Sequence, residues 1–388
     1  MAIPVSYNLR NLLARRTTTM MTALGIALTV AVLVAVLALV EGLRTSLSAA
    51  GNPLHVLVMR KGATSELVSL MTRQWFKDLR LRPGIARNSD GEPLASLEMV
   101  TVVVLAGPEA PAGMNVTVRG LTPVGFSMRD GIRIVEGRMF QTGRRELVVG
   151  KSVASRYPGA RIGERIDFGS GDWEVVGVMD AGRSAANGEI FCDVNQISAD
   201  QNRSEALSSA LLRGTSAESV QALIRNIESD PRLNVSAVRE TTYYDGQMSS
   251  AQPIRIMGTF IAIIMAVGSC FAAMNTMYAA VARRSAEIGT LRVLGFSRGS
   301  ILTSFTIEAM LLSLLGGIVG LILVLPLTNL TTGIGNFVTF SEVSFQFRIT
   351  PAVAATGIAF ALVMGLAGGL FPAGSAARKQ ILSALRQA

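Results

Sequence analysis

The chain has 388 residues, with 36 Lys and Arg against 27 Asp and Glu, a formal net charge of +9 and a single His. Taken alone, that excess fits a partner of nucleic acid, of a membrane surface or of some other acidic molecule. Only 16% of the residues are charged and 49% are hydrophobic, which excludes a disordered, collagen-like or disulfide-scaffold chain.

In chain order, residues 1–19 form a basic N-terminal segment. Within it Leu9, Leu12 and Leu13 share a helical face beside Arg10, Arg15 and Arg16, which suits either an interfacial helix or a plain charged flank. Met20 to Val40 is 21 residues without a charge, longer than the apolar core of a signal peptide, so 20–43 is read as an uncleaved span. Residues 44–253 show soluble patterning. Strands are expected at Leu54–Met59, Glu98–Leu105, Asn115–Arg119, Glu146–Val149, Arg165–Phe168 and Trp173–Met179, and helices at Thr64–Arg80 and Ala217–Ser229. Ser208–Leu212, the second helix and Asn234–Val238 read as a βαβ-like unit, and 106–200 as a β-rich lobe between mixed flanks.

Three more uncharged runs follow: Ile256–Ala282, Ala309–Leu327 and Ala352–Ala377, of 27, 19 and 26 residues. A spanning helix needs about 20 such residues, so spans are placed at 254–282, 301–327 and 352–377. The loop 283–300 lies between the first two. The loop 328–351, with Phe337, Phe340, Phe345 and Phe347, is expected to be an interfacial foot or re-entrant turn. A basic tail occupies 378–388. The fold class is thus an α-helical membrane protein with four transmembrane helices in a 1+3 arrangement. A large extracytoplasmic mixed α/β domain lies between helices 1 and 2.

The charges give the orientation. Residues 44–253 hold 24 basic and 23 acidic side chains, so only +1 of the +9 resides there. The rest clusters at Arg10, Arg15 and Arg16, at Arg283, Arg284, Arg292 and Arg298, and at Arg378, Lys379 and Arg386. Four spans put all three clusters on one side, and the positive-inside rule makes that side the cytoplasm. The chain is therefore expected in the bacterial cytoplasmic (inner) membrane, with both termini on the cytoplasmic side and the large domain outside. The high charge is no sign of nucleic acid.

Chemistry is sparse. Gly150-Lys151-Ser152 ends like a phosphate loop, but the position where that loop needs its first Gly is Arg145. His55 has no second His and no Cys pair for a zinc site or triad. The outside carboxylates are interleaved with arginines, as on a solvated surface. Asn275 is the one strongly polar residue of the second span, which argues against an ion pathway. Glu308 opens the third span, where a carboxylate is costly and is expected near the boundary with a bonded neighbour. Gly316 with Gly320 and Gly365 with Gly369 are GxxxG pairs suited to close helix packing, within the bundle or between copies. Cys192 and Cys270 fall on different sides of the membrane and cannot pair.

The loop Arg283–Ser297 is compact, charged and helix-compatible, with Arg284, Ile288, Leu291, Arg292 and Gly295 at helical spacing. It suits a helix lying on anionic lipid or docking into a partner. Arg284, Glu287, Ile288, Gly289, Leu291, Arg292, Leu294 and Gly295 match the pattern R-x-x-E-I-G-x-L-R-x-L-G. With Glu308, Pro372, Ala376-Ala377-Arg378 and Leu385-Arg386, and more weakly Glu136-Gly137-Arg138 and Trp173–Gly177, the whole chain resembles permeases of the FtsX/MacB-like ABC family, which includes lipoprotein-releasing and efflux members. The resemblance implies that Arg283, Arg284, Glu287, Ile288, Gly289, Leu291, Arg292, Leu294 and Gly295 form a coupling helix on a separate ABC ATPase subunit. That ATPase would bind the ATP and Mg, this chain holding no cofactor or metal and catalysing nothing. The resemblance further implies a second permease copy or homologue, scope for a periplasmic adaptor (membrane fusion protein), and mechanotransmission to the outside domain. No fused ATPase is expected. An FtsX-like signaller regulating a cell-wall hydrolase is the alternative.

Overall fold

The computed structural model describes residues 16–108, 110–248, 252–336 and 339–378, which form two compact units. The N-terminal segment before Arg16, and the tail residues Lys379, Leu385 and Arg386, lie outside the described residues. Helix α1 (Arg16–Ser48) contains the expected first span and continues past it. From Gly42 onward the chain belongs to the second unit.

That unit opens with β1 (His55–Arg60), β2 (Met71–Thr72), the short helix α2 (Arg73–Leu79) and the hairpin β3 (Ala95–Gly107) and β4 (Ala110–Leu121). Then come α3 (Pro123–Ser127), β5 (Arg133–Gly137), β6 (Glu146–Gly150), α4 (Lys151–Arg156), β7 (Arg165–Phe168), β8 (Gly171–Asp180), β9 (Glu189–Asp193) and α5 (Val194–Asp200). The series ends with β10 (Ala206–Leu207), β11 (Ser209–Arg213), α6 (Ala217–Glu228), β12 (Val235–Arg239) and α7 (Glu240–Gln247). One ten-stranded sheet runs β12-β1-β11-β3-β4-β9-β6-β8-β5, with β7 also on β8. The expected lobe 106–200 and its flanks therefore share a sheet, because the long β3–β4 hairpin joins them. Ala95–Glu98 pair with β11, and Thr117–Leu121 pair with β9.

Local chemistry explains the elements. Ser216 and Ser219 form a reciprocal capping box at the start of α6, whose Val220, Leu223 and Ile227 bury one face. Strands β11 and β12 both run antiparallel to β1, which lies between them, so β11-α6-β12 is a crossover that straddles a strand. The expected helix over Thr64–Arg80 is mostly something else. A 3₁₀ turn at Glu66–Val68 and strand β2 precede α2, whose start is fixed by the Thr72 hydroxyl accepting from Trp75 N–H at 3.3 Å. The core includes Val56, Met99, Val118, Leu147, Val149, Ile190 and Leu212, with Trp173 fully buried and stacked on Phe168 at 5.2 Å.

The membrane helices complete the chain: α8 (Gln252–Arg283), the short α9 (Ser285–Val293), α10 (Arg298–Val324) and α11 (Pro351–Arg378). Together with α1, the three long ones, α8, α10 and α11, make four helices among the described residues that are long and apolar enough to cross a membrane. Between α10 and α11 the expected membrane-surface foot is instead a hairpin, β13 (Thr331–Gly335) with β14 (Glu342–Gln346), and it belongs to the sheet unit. Phe345 is buried, and Glu342 bonds both Arg156 and Tyr157 there.

Glycines set the helix contacts. A Cβ on Gly316 or Gly320 would lie 2.8 Å from Ile26 or 2.6 Å from the Ala27 carbonyl of α1. One on Gly365 or Gly369 would lie 2.1 Å from Ser313 Oγ or 2.4 Å from Ala309 Cβ of α10. Both GxxxG pairs thus pack within the bundle.

Candidate functional site

Helix α9 is held from both ends. Arg284, immediately before it, is 3% exposed; its Nη1 donates to Glu308 Oε2 at 2.9 Å and its guanidinium lies 5.9 Å from the Phe305 ring centroid. Ile288 is 2% exposed and joins a cluster with Met277 and Val281 of α8, Ile301, Phe305 and Ala309 of α10, and Ala373, Ala376 and Ala377 of α11. At the C-terminus Gly295 has φ +92°; its N–H donates to the Arg292 carbonyl at 3.2 Å and the Phe296 N–H to the Leu291 carbonyl at 3.1 Å. That is a Schellman cap, whose left-handed residue favours a Gly. The Ser297 hydroxyl then accepts from Ser300 N–H at 3.1 Å and starts α10.

The sequence-predicted site residues therefore divide. Arg284, Ile288, Gly289 and Glu308 are buried and fix the helix. Leu291 and Arg292 are half-buried, with Arg292 Nη1 donating to the Phe296 carbonyl at 3.3 Å. Arg283, Glu287, Leu294 and Gly295 are exposed, together with Thr290 and Val293. The face expected to run through Arg284 and Ile288 is the inward one, because Arg284 has a carboxylate partner there. The open face of α9 is Glu287, Thr290 and, at its C-cap, Leu294, three to four residues apart as one helical stripe requires, and exposed Arg283 ends α8 just before it.

A second polar centre lies inside the sheet unit, where the outside carboxylates were read as solvated. Arg119 is 4% exposed and donates to Glu66, Glu98 and Glu189, each at 2.9 Å. Arg129 adds two bonds to Glu98 at 2.7 and 2.8 Å, and Ser209 Oγ donates to Glu66 at 2.6 Å. Burial alone would raise the Glu98 carboxyl, but the guanidiniums of Arg129 and Arg119 outweigh it and hold it below its ordinary value. Burial likewise works against the charge of Arg119, but Glu189, Glu66 and Glu98 around it push its pKa well up. The available signal was Glu98 and Arg119 standing inside β-branched runs.

His55 is 1% exposed and bonds through Nδ1 to Glu240 Oε2 at 2.8 Å. The same oxygen accepts from Asn52 N–H at 2.9 Å. Glu240 thereby ties the segment that leaves α1 to the helix α7 that leads toward α8. No cluster of three or more metal-ligating side chains occurs among the described residues. Two open recesses flank this region and share Glu189 and Tyr244 in their walls.

Two family models match the chain: the MacB-like periplasmic core domain over residues 19–230, and the FtsX-like permease C-terminal region over 259–381. The chain belongs to the MacB/FtsX family of ABC transporter permeases. It is 24% identical to the uncharacterized ABC transporter permease YknZ of Bacillus subtilis, over 97% of both chains. It is 31% identical to the macrolide export ATP-binding/permease protein MacB of Nitrosomonas europaea and 27% identical to the pyoverdine export ATP-binding/permease protein PvdT of Pseudomonas savastanoi. Those two matches use 65% of this chain and span 40% of the relative's length. Among solved structures, the periplasmic region of MacB from Actinobacillus actinomycetemcomitans aligns at TM-score 0.37 and 11% identity, over 50% of this chain and 92% of that one. As a member of this family the chain is a multi-pass membrane permease with a large extracytoplasmic domain.

Proposed function

We propose that this permease is the transmembrane subunit of a mechanotransmitting ABC exporter. In this reading a separate ATPase subunit binds ATP and Mg and seats on the open stripe Glu287, Thr290 and Leu294, beside exposed Arg283. Its closure moves α9, and the movement passes to the extracytoplasmic domain, which releases or expels a cargo outside. Both termini and α9 are cytoplasmic, two permease copies share the assembly, and a periplasmic adaptor is a further candidate partner.

The observation that carries this reading is the division of α9. Its inner face is locked to three membrane helices by Ile288 and by the buried Arg284–Glu308 bond. In this reading a push on the outer face passes into the bundle through these contacts. The relative matched over 97% of its length and named as a permease supports a separate ATPase, and the printed export roles of MacB and PvdT support export.

The test is co-purification of the full chain from its native membrane, followed by ATPase assay with and without Glu287→Arg. A co-purifying ATPase whose turnover responds to the permease, and loses that response in Glu287→Arg, is the expected result. Substantial hydrolysis by the chain alone, or an unchanged response in the variant, overturns the reading.

A further inference from the structure

Beside the Arg119 network the sheet unit holds an open recess whose walls include His55, Arg129, Asp130, Glu189, Glu240 and Tyr244. Its charges are unevenly matched. Asp130 is paired with Arg213 at 3.3 Å. Arg129 gives both terminal nitrogens to Glu98 behind the wall, and Arg119 divides its charge among Glu66, Glu98 and Glu189. Glu240 is 4% exposed and meets only the His55 ring and the Asn52 N–H, both on Oε2. Apart from the Asp130–Arg213 pair, the carboxylates of Glu66, Glu98, Glu189 and Glu240 thus stand against the two guanidiniums of Arg119 and Arg129. With His55 neutral, that is a formal excess of two negative charges.

His55 is a second, independent sign. The ring is 1% exposed and forms part of the same wall. Its Nδ1 is committed to Glu240, and its Nε2 is buried with no hydrogen-bond partner among the described residues. A carboxylate oxygen only accepts, so Nδ1 carries the hydrogen and Nε2 of the neutral ring presents a lone pair. A buried acceptor in that state calls for a donor.

The occupant that fits both signs is positively charged and donates hydrogen bonds. A bare metal ion does not fit, since no group of three or more His, Cys, Asp or Glu able to hold one occurs among the described residues. An ammonium group fits, being one compact positive charge with three N–H donors. One N–H serves Nε2 of His55 and the others serve the carboxylates of Glu240 and Glu189. Ala49, Ala50, Ile132 and Ala181 give the recess an apolar side for a short alkyl stem. We propose that this recess binds a primary ammonium group on a short alkyl stem, as carried by a free alkylamine or by an ethanolamine headgroup.

Equilibrium dialysis tests the site on the full chain in nanodiscs of phosphatidylcholine, whose quaternary headgroup has no N–H. Radiolabelled n-butylamine should bind saturably at neutral pH, with empty discs as the blank. 1-Butanol lacks the charge and butyltrimethylammonium lacks the N–H donors. Each should compete more weakly than unlabelled butylamine by about tenfold or more, the worth of a hydrogen bond to a charged group. Glu240→Gln and Glu189→Gln should each weaken binding to a similar degree, with tryptophan fluorescence checking that the sheet unit is folded. Discs of phosphatidylethanolamine separate the two sources. Full butylamine binding there assigns the site to a free amine, and loss of binding assigns it to the lipid headgroup; either result supports an ammonium site. No saturable binding in phosphatidylcholine, equal competition by all three compounds, or full binding by both folded variants would overturn the proposal. The competitors are compared on the unaltered chain, so that arm decides even where a variant does not fold. Binding is read without nucleotide or ATPase and is independent of the proposed coupling.

Discussion

Arg119 shows how much a single side chain organises here. Three carboxylates converge on it inside the sheet unit, and Arg129 shares one of them. Removing one member of such a buried set leaves uncompensated charge and costs about 3–5 kcal/mol. Arg119→Met should therefore destabilise the extracytoplasmic domain by that order. Both tryptophans, Trp75 and Trp173, lie in that unit, so denaturant unfolding followed by tryptophan fluorescence in the full chain reads it directly; an unchanged midpoint would refute the assignment. The pH response follows from Glu98. Its carboxyl is held below the ordinary value, so its stabilisation is complete above the unfolded-state pKa and is lost as pH falls through the folded one. The melting temperature of the sheet unit should decline progressively on acidification below the usual carboxylate range, and a flat profile would contradict this. Glu240 is simpler. Glu240→Ala strips the His55 ring and the half-buried Asn52 N–H of their shared acceptor, with a cost of about 1–3 kcal/mol for the buried ring left unpaired. Glu240→Gln, which keeps an oxygen in place, should recover part of that loss.

At the level of elements, α10 is where packing can be tested most directly. A Cβ on Gly365 would sit 2.1 Å from Ser313 Oγ and 3.0 Å from the Ala309 carbonyl, so α11 could not hold its present distance from α10. Gly365→Leu should lower the yield of folded protein in membranes, whereas Gly374→Leu, with open space around its Cβ, should not. The GxxxG spacing made these contacts legible, because small residues four apart admit few other readings. The hairpin β13–β14 was not read, although Glu342-Val-Ser-Phe-Gln346 alternates as a strand should. Its aromatics and its place between two spans favoured a membrane-surface element, and nothing local reveals that Arg156 and Tyr157, far away in sequence, supply the partners of Glu342. The open stripe of α9 was half legible for the same reason. Helical spacing grouped Arg284 with Ile288 and Leu291, but only the position of Glu308 decides that this face turns inward.

For the whole molecule, the distribution of charge is the physical handle on orientation. Only +1 of the +9 falls in 44–253, and a domain of that length crosses largely regardless of its charge, so the arginines of the short segment around α9 are the ones that set orientation. The fourfold run of apolar helices was plain from hydropathy because a bilayer demands about 20 apolar residues per crossing. The single sheet spanning the outside domain was not, because strand order depends on partners far apart in the chain. The orientation proposed here predicts a labelling pattern. In intact cells, with Cys192 and Cys270 replaced by Ser, a membrane-impermeant maleimide should modify a cysteine placed at exposed Glu228 of α6. It should reach one at exposed Leu294 of α9 only after the membrane is permeabilised. Equal labelling at both positions in intact cells would move α9 to the outer side and would remove it from contact with any cytoplasmic ATPase. Labelling at Leu294 that falls when the co-purifying ATPase is present would place that subunit on the open stripe, since Leu294 is 64% exposed in the chain alone.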